Sequence, residues 1–134
     1  MTRIWPEETR VLVVEDDYLT ARLIQSRLQM EGLPVRTAAN GQEALAALRE
    51  EPAELLVTDL MMPAMNGFRL IQEVRELSPP QGQVPILVVS ANHSEPDMLA
   101  CFAAGADDFM TKPISLPVLV ERLWRLRRRC LEPA

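Results

Sequence analysis

Little in this chain would tie it to a membrane, an oxidising compartment or nucleic acid. Its apolar runs fall well short of the about 20 consecutive residues that a membrane-spanning helix needs. The N-terminal stretch MTRIWPEETR has no apolar segment ahead of its first charges, so no secretory signal is readable. The expectation is a cytoplasmic protein without membrane contact. Cysteine is scarce: the 134 residues include 2, Cys101 and Cys130, which lack metal-ligand spacing and read as free thiols. Lysine is scarcer still, because Lys112 is the only one among 14 basic residues. The net charge of -5 argues against general attraction to nucleic acid. No GxxxxGK[ST] loop is present, and no Gly- or Ser-rich turn follows the first apolar run, which counts against nucleotide hydrolysis and flavin binding.

What remains is the profile of one ordinary domain. Apolar residues make up 48% and charged residues 25%, so neither a disordered nor a fibrous chain fits. Four short runs, Val11 to Val14, Val35 to Thr37, Leu55 to Val57 and Ile86 to Val89, are continuous rather than alternating. Strands buried on both faces of a parallel sheet look like this. Between them lie stripes at helical period: Leu19, Leu23, Ile24 and Leu28; Ala44, Leu45 and Leu48; Phe68, Leu70, Ile71 and Val74 with Leu77. Gly32 can end the first helix, Asn40 with Gly41 can open the second, and Ser78, Pro79 and Pro80 can stop the third. Ser94 with Asp97 resembles a capping box opening a fourth helix that ends at Gly105. A fifth strand near Asp108 to Thr111 precedes a last helix from about Ser115, with Pro117 in its first turn and Val118, Leu119, Leu123 and Leu126 on its apolar side. Alternating strands and helices, five of each, predict a doubly wound α/β domain with a five-stranded parallel sheet and no second domain.

In such a sheet, ligand sites gather beyond the carboxyl ends of the strands. Glu15, Asp16 and Asp17 follow the first strand, Thr58 and Asp59 the third, Ser90 the fourth and Lys112 the fifth, all on one rim. Taken singly, Asp17 suits a helix N-cap, Ser90 a turn and Lys112 a solvated surface. Together they suggest chemistry. Carboxylates crowded on one rim need a compensating cation to stay ionised. An all-oxygen set without His or Cys suits a hard ion, for which Mg2+ is the expectation, and Mg2+ implies phosphate. Lys112 would add a compact charge able to follow a phosphoryl oxygen, with Ser90 donating its hydroxyl to the same group.

From Arg10 to about Arg129 the chain resembles the receiver domains of two-component response regulators. Val11-Leu12-Val13-Val14-Glu15-Asp16-Asp17 is similar to that family's first strand and acidic pocket. Thr58-Asp59-Leu60-Met61-Met62-Pro63 with Met65-Asn66-Gly67 is similar to its phosphoacceptor loop. Val89-Ser90-Ala91 matches its switch strand and Thr111-Lys112-Pro113 its lysine turn. The resemblance implies a CheY-like, flavodoxin-like fold with strand order 2-1-3-4-5. It implies that Asp59 is the phosphoacceptor, that Asp16 and Glu15 with Asp59 and the backbone carbonyl of Met61 hold Mg2+, and that Lys112 contacts the phosphoryl group through a turn with a cis bond to Pro113. Phe109 takes the place of the switch aromatic, expected to rotate inward when Ser90 is drawn to the phosphoryl group.

The same resemblance places Met61 and Asn92 where the family tunes hydrolysis. Met61 has nothing to activate water and Asn92 orients it weakly, so the expected phosphoryl lifetime is minutes or longer. A sensor histidine kinase or histidine phosphotransfer protein would be the donor. The output partner would meet the face made by the fourth helix, fifth strand and fifth helix. The single histidine, His93, reads as an exposed loop residue rather than a phosphodonor. The arginines ending the last helix read as complements to its dipole rather than a nucleic-acid patch, and Trp124 as half buried or part of a homodimer face. Two rivals stand beside this reading. One is a receiver-like module that binds without phosphorylation. The other is a Mg2+-dependent phosphatase with an Asp nucleophile, of the haloacid-dehalogenase kind, which would need a second Asp where Met61 stands.

Overall fold

Three of the five strands form where the sequence is continuously Val-, Leu- and Ile-rich, and period-2 geometry divides each strand between two faces. The structure, a computed structural model, describes residues 3–62, 65–92 and 94–131. His93 and Pro63 lie outside them. The elements run β1 (Val11–Val14), α1 (Tyr18–Met30), β2 (Val35–Ala38), α2 (Gly41–Glu50), β3 (Leu55–Thr58), α3 (Gly67–Arg75), β4 (Ile86–Ser90), α4 (Glu95–Ala104), β5 (Asp108–Thr111) and α5 (Leu116–Arg129), with a 3-10 turn at Gln81–Gln83 before β4. All five strands are parallel, in the order β2-β1-β3-β4-β5. Leu12 and Val14 face one core, shared with α2, α3 and α4; Val11 and Val13 face the other, shared with α1 and α5. This is the doubly wound fold that the sequence pattern predicts, with the CheY-like, flavodoxin-like strand order that the resemblance implies.

Each helix begins on a side chain that accepts a backbone N–H of its first turn: Asp17, Asn40, Asn66, Ser94 and Ser115. These caps set where each loop stops and so fix the rim. Gly105, at φ 119°, closes α4 in the left-handed conformation.

Three local expectations need correction. On α1 the buried face is Ala21, Ile24 and Leu28, while Leu19 and Leu23 are 71% and 61% exposed. Leu23 sits one residue, about 100°, away from Ile24, so the two cannot share a narrow face against the sheet. Val118 on α5 is likewise exposed, with Leu119 and Val120 turned inward instead. Finally, α3 ends at Arg75, before Ser78 and the two prolines, with Glu76 closing its last turn.

Residues ahead of β1 also belong to the packed domain. Trp5 packs against the α1–α5 core and its indole N–H donates to Glu31 at 3.2 Å. Arg3 pairs with Glu121 at 2.6 Å, and Arg127 donates to the Thr9 hydroxyl at 3.0 Å, so this segment ties α1 to α5. Among the described residues no helix is long and apolar enough to cross a membrane. Cys101 is buried and Cys130 exposed, and both are free thiols.

Candidate functional site

Strand register assembles the rim. Val14 is level with Thr58, and Ser90 with Thr111, so the residues that follow lie side by side. The Asp59 N–H donates to the Val14 carbonyl at 3.1 Å and the Lys112 N–H to the Ser90 carbonyl at 2.9 Å, extending the ladders one step past the strands. Glu15, Asp16 and Asp59 each bring a carboxylate oxygen into one cluster, with the three atoms within 4.8 Å of one another. Lys112 Nζ donates to Glu15 Oε1 at 2.6 Å and to Asp59 Oδ2 at 3.0 Å. The peptide bond from Lys112 to Pro113 is cis.

The Asp59 carboxylate is held from both sides. Its Oδ1 accepts the Leu60 N–H at 2.6 Å and the Met61 N–H at 3.3 Å, which leaves Oδ2 on the Lys112 side. Gly67 makes that geometry possible. Its N–H donates to the Leu60 carbonyl at 2.8 Å, and a Cβ there would lie 2.5 Å from the Asp59 carbonyl oxygen. The sequence shows Gly67 as part of a motif; the reason for it, a backbone pressed against the acceptor loop, needs coordinates.

Burial and charge act in opposite directions on the acidic groups. Burial pushes the Glu15 carboxyl up to about 7, helped by the Asp59 charge and resisted by the hydrogen bonds from Lys112 and the Asp17 N–H. Burial would lower the Lys112 ammonium, but its bonds to Glu15 and Asp59 outweigh this and raise it. A buried Glu near neutrality and a Lys bound to two carboxylates are signs of a site short of positive charge. The residues fit a divalent cation: three carboxylate oxygens, no nitrogen or sulfur ligand, and more negative charge than Lys112 can balance.

Asp17 stands apart, its side chain spent on the N-cap of α1, where it accepts from the Thr20 N–H at 3.1 Å and from the Thr20 hydroxyl. Ser90 is the last residue of β4 rather than the residue after it, fully buried, with its Oγ accepting the Asn92 N–H at 3.1 Å. Met61 projects outward, 64% exposed. Phe109 differs from expectation: it is already in the core at 6% exposure, so no outward position has to be vacated. A phenyl ring carries no hydroxyl needing solvent, and it is buried in the same apolar cluster as Cys101 and Ala106. The bonds of the Asn92 side chain are not legible from the sequence. Its carboxamide accepts the Ser94 N–H at 3.1 Å and donates to Asp97.

The response regulator receiver domain model matches residues 11–124. The chain is a response regulator receiver domain. It is 31% identical to Vibrio cholerae chemotaxis protein CheY4, whose structure superposes with a TM-score of 0.82 over 88% of this chain and 98% of that one. It is 39% identical over 120 residues to the transcriptional regulatory protein TrcR of Mycobacterium tuberculosis, covering 90% of this chain and 46% of that protein. An uncharacterised 14.6 kDa protein of Leptolyngbya boryana is 41% identical and is covered over 89% of its length. The chain spans about half the length of the curated relatives it first matches. Receiver domains generally serve phosphorylation-activated signalling rather than turnover of a substrate, bind Mg2+ in an acidic pocket, and interact with histidine kinases and output domains. The receiver here has that acidic pocket at Glu15, Asp16 and Asp59.

Proposed function

We propose that this receiver accepts a phosphoryl group on Asp59 from a sensor histidine kinase or a histidine phosphotransfer protein, in a Mg2+-dependent reaction, and thereby changes what it binds. The observation that carries the reading is Lys112 Nζ within hydrogen-bond distance of both Asp59 and Glu15, in the cluster that Asp16 completes. The ion would be held by Glu15, Asp16, Asp59 and the Met61 carbonyl, and when bound would offset charge on the transferring oxygens. The chain's own residues do the rest. The Leu60 and Met61 N–H groups fix the Asp59 carboxylate plane, so an Asp59 oxygen can attack phosphorus while the bond to the donor nitrogen breaks. Lys112 then pairs with a phosphoryl oxygen. Ser90 Oγ already accepts from the Asn92 N–H, which leaves the hydroxyl proton available to that oxygen.

Phe109 is already inside, so phosphorylation would stabilise an arrangement of α4, β5 and α5 that the ring already favours, a shift of populations. Leu99 and Phe102 on α4 and Val118 on α5 are exposed apolar side chains, which supports an output partner on that face. The reading includes a cytoplasmic setting, and the described residues make a single receiver. The phosphatase rival lacks its second acid, because Met61 stands there with an exposed thioether.

Intact mass after incubation with a small acyl phosphate, with and without Mg2+ and beside Asp59→Asn, tests the proposal. The expected result is one phosphoryl group that requires both Mg2+ and Asp59. No gain under any condition would refute it in favour of a module that binds without phosphorylation.

A further inference from the structure

The first turn of α2 has a glycine that its backbone does not require. Among the described residues, positive φ is confined to Glu8, Gly32 and Gly105, so Gly41, the first residue of α2, sits in a conformation open to other residues. Glycine there gives up helix stability relative to alanine. What it supplies is room. A Cβ at Gly41 would lie 2.7 Å from Met65 Sδ, 2.8 Å from its Cγ and 2.9 Å from its Cβ. Turning the thioether could clear the first two atoms, but the Met65 Cβ moves only with its backbone. To reach ordinary contact at 3.4 Å, about 0.5 Å must therefore come from the chain at Met65 or from the start of α2. The helix start is fixed, because Asn40 Oδ1 accepts the Glu43 N–H at 2.9 Å and Ala44 and Leu45 are buried just beyond. Met65 lies in the stretch that joins Asp59 to α3, buried in the same apolar cluster as Leu60 and Met62. It precedes Asn66, whose side chain caps α3. The next residue, Gly67, donates its N–H to the Leu60 carbonyl at 2.8 Å, and the Leu60 N–H in turn holds Asp59 Oδ1 at 2.6 Å. Contacts thus run step by step from α2 to the acceptor carboxylate.

Resting on the receiver reading above, we propose that Gly41 is a positioning residue for phosphorylation of Asp59: the space it leaves seats Met65 against α2, and that seat sets where the acceptor carboxylate and the Met61 carbonyl stand. In the reaction an Asp59 oxygen bonds to phosphorus as the bond from phosphorus to the donor breaks, its electron pair leaving with the donor. Gly41 touches none of these atoms and acts through Met65. Gly67 presses on the same stretch from the start of α3, so two helices hold the acceptor loop, each through a residue without a side chain.

The test compares Gly41→Ala with two variants that isolate its cause. Asn40→Ala removes the N-cap of the same helix without adding an atom beside Met65, and Met65→Gly removes all three atoms that the new Cβ would meet. Each is measured for its initial rate of mass gain from a small acyl phosphate at saturating Mg2+, for Mg2+ affinity of the unphosphorylated protein by calorimetry, and for its urea midpoint. An error near 1 Å in a reacting group can cost on the order of a hundredfold, so half of that should slow Gly41→Ala about tenfold. Its Mg2+ affinity should fall about tenfold too, the loss that a disturbed outer partner of a metal site brings. Asn40→Ala should lower the urea midpoint yet keep the parental rate and affinity, a separation that a merely structural role for the start of α2 would not allow. In a Met65→Gly background, Gly41→Ala should cause no further loss. If Gly41→Ala does not fold, Met65→Gly alone carries the test and should itself be slow and weak in Mg2+, because the seat is empty; parental values there would overturn the proposal. So would a parental rate or Mg2+ affinity in folded Gly41→Ala, equal losses in Asn40→Ala, or the same further loss from Gly41→Ala once Met65→Gly is present, and each of these leaves the receiver reading intact. Failure of the parent chain to gain a phosphoryl group would overturn both.

Discussion

Gly67→Ala should damage folding and phosphorylation together, for one geometric reason. The new Cβ would lie 2.5 Å from the Asp59 carbonyl oxygen and 2.8 Å from Leu60 Cα, both backbone atoms. To reach ordinary contact at 3.4 Å, the acceptor loop or the start of α3 must move by about 0.9 Å. Neither is free to do so. The Gly67 N–H is bonded to Leu60, Asn66 caps the helix, and Leu70 and Ile71 are fully buried one turn on. Overpacking of this kind costs about 1–3 kcal/mol. At about 2 kcal/mol, a domain of this size loses roughly 8 °C in Tm. The displaced atoms belong to the residue expected to react, and an error near 1 Å in a reacting group can cost on the order of a hundredfold in rate. Denaturant unfolding gives the stability term. The initial rate of mass gain from a small acyl phosphate, measured where the variant is still folded, gives the second. Gly32→Ala is the control: at φ 86° it is strained, but nothing lies within 4 Å of its Cβ, so it should lose some stability and keep its phosphorylation rate. Parental values for Gly67→Ala in both assays would refute the close-approach argument, and a slowed rate in Gly32→Ala would show that lost stability alone is responsible.

Two further outcomes are expected. Leu28→Ala should cost about 2–4 kcal/mol in urea unfolding and Leu23→Ala less than about 0.5, since Leu28 is buried and Leu23 exposed; equal costs would mean that the buried face of α1 is misassigned. Glu54 is held below the usual carboxylate range: burial opposes this, but the Arg10 guanidinium and backbone N–H outweigh it, with bonds of 3.0, 2.8 and 2.8 Å to the carboxylate. A depressed folded-state pKa adds stability that is present above about pH 4.5 and lost as pH falls through the folded value. The gap between the parent and Glu54→Gln should therefore be about 1 kcal/mol near pH 6 and close on acidification, and a gap independent of pH would refute the pairing.

What could be read from the sequence depended on how each contact is made. Glu15, Asp59 and Lys112 were legible as one site because each follows a strand, and parallel register brings strand ends level whatever the loops do. A position in the chain then becomes a position in space. The helices were legible in number and start, since Asp17, Asn40, Ser94 and Ser115 cap by short side chains acting three residues ahead. The buried face of α1 was not. Four leucine-like residues offered more than one stripe, and only packing against Val11 and Val13 selects Ile24 and Leu28 over Leu19 and Leu23. Long side chains that cross between elements were beyond reach for a different reason. Arg127 reaches Thr9 across 118 positions, and Arg75 reaches the carbonyls of Val84 and Gly105. No period or motif marks these pairs, because any nearby guanidinium could serve. Asn92 lies between the two cases. Its distance from Ser90 in the chain made it a candidate for chemistry, yet its carboxamide accepts from Ser94 and donates to Asp97, contacts that side-chain geometry at the start of α4 decides and no motif marks.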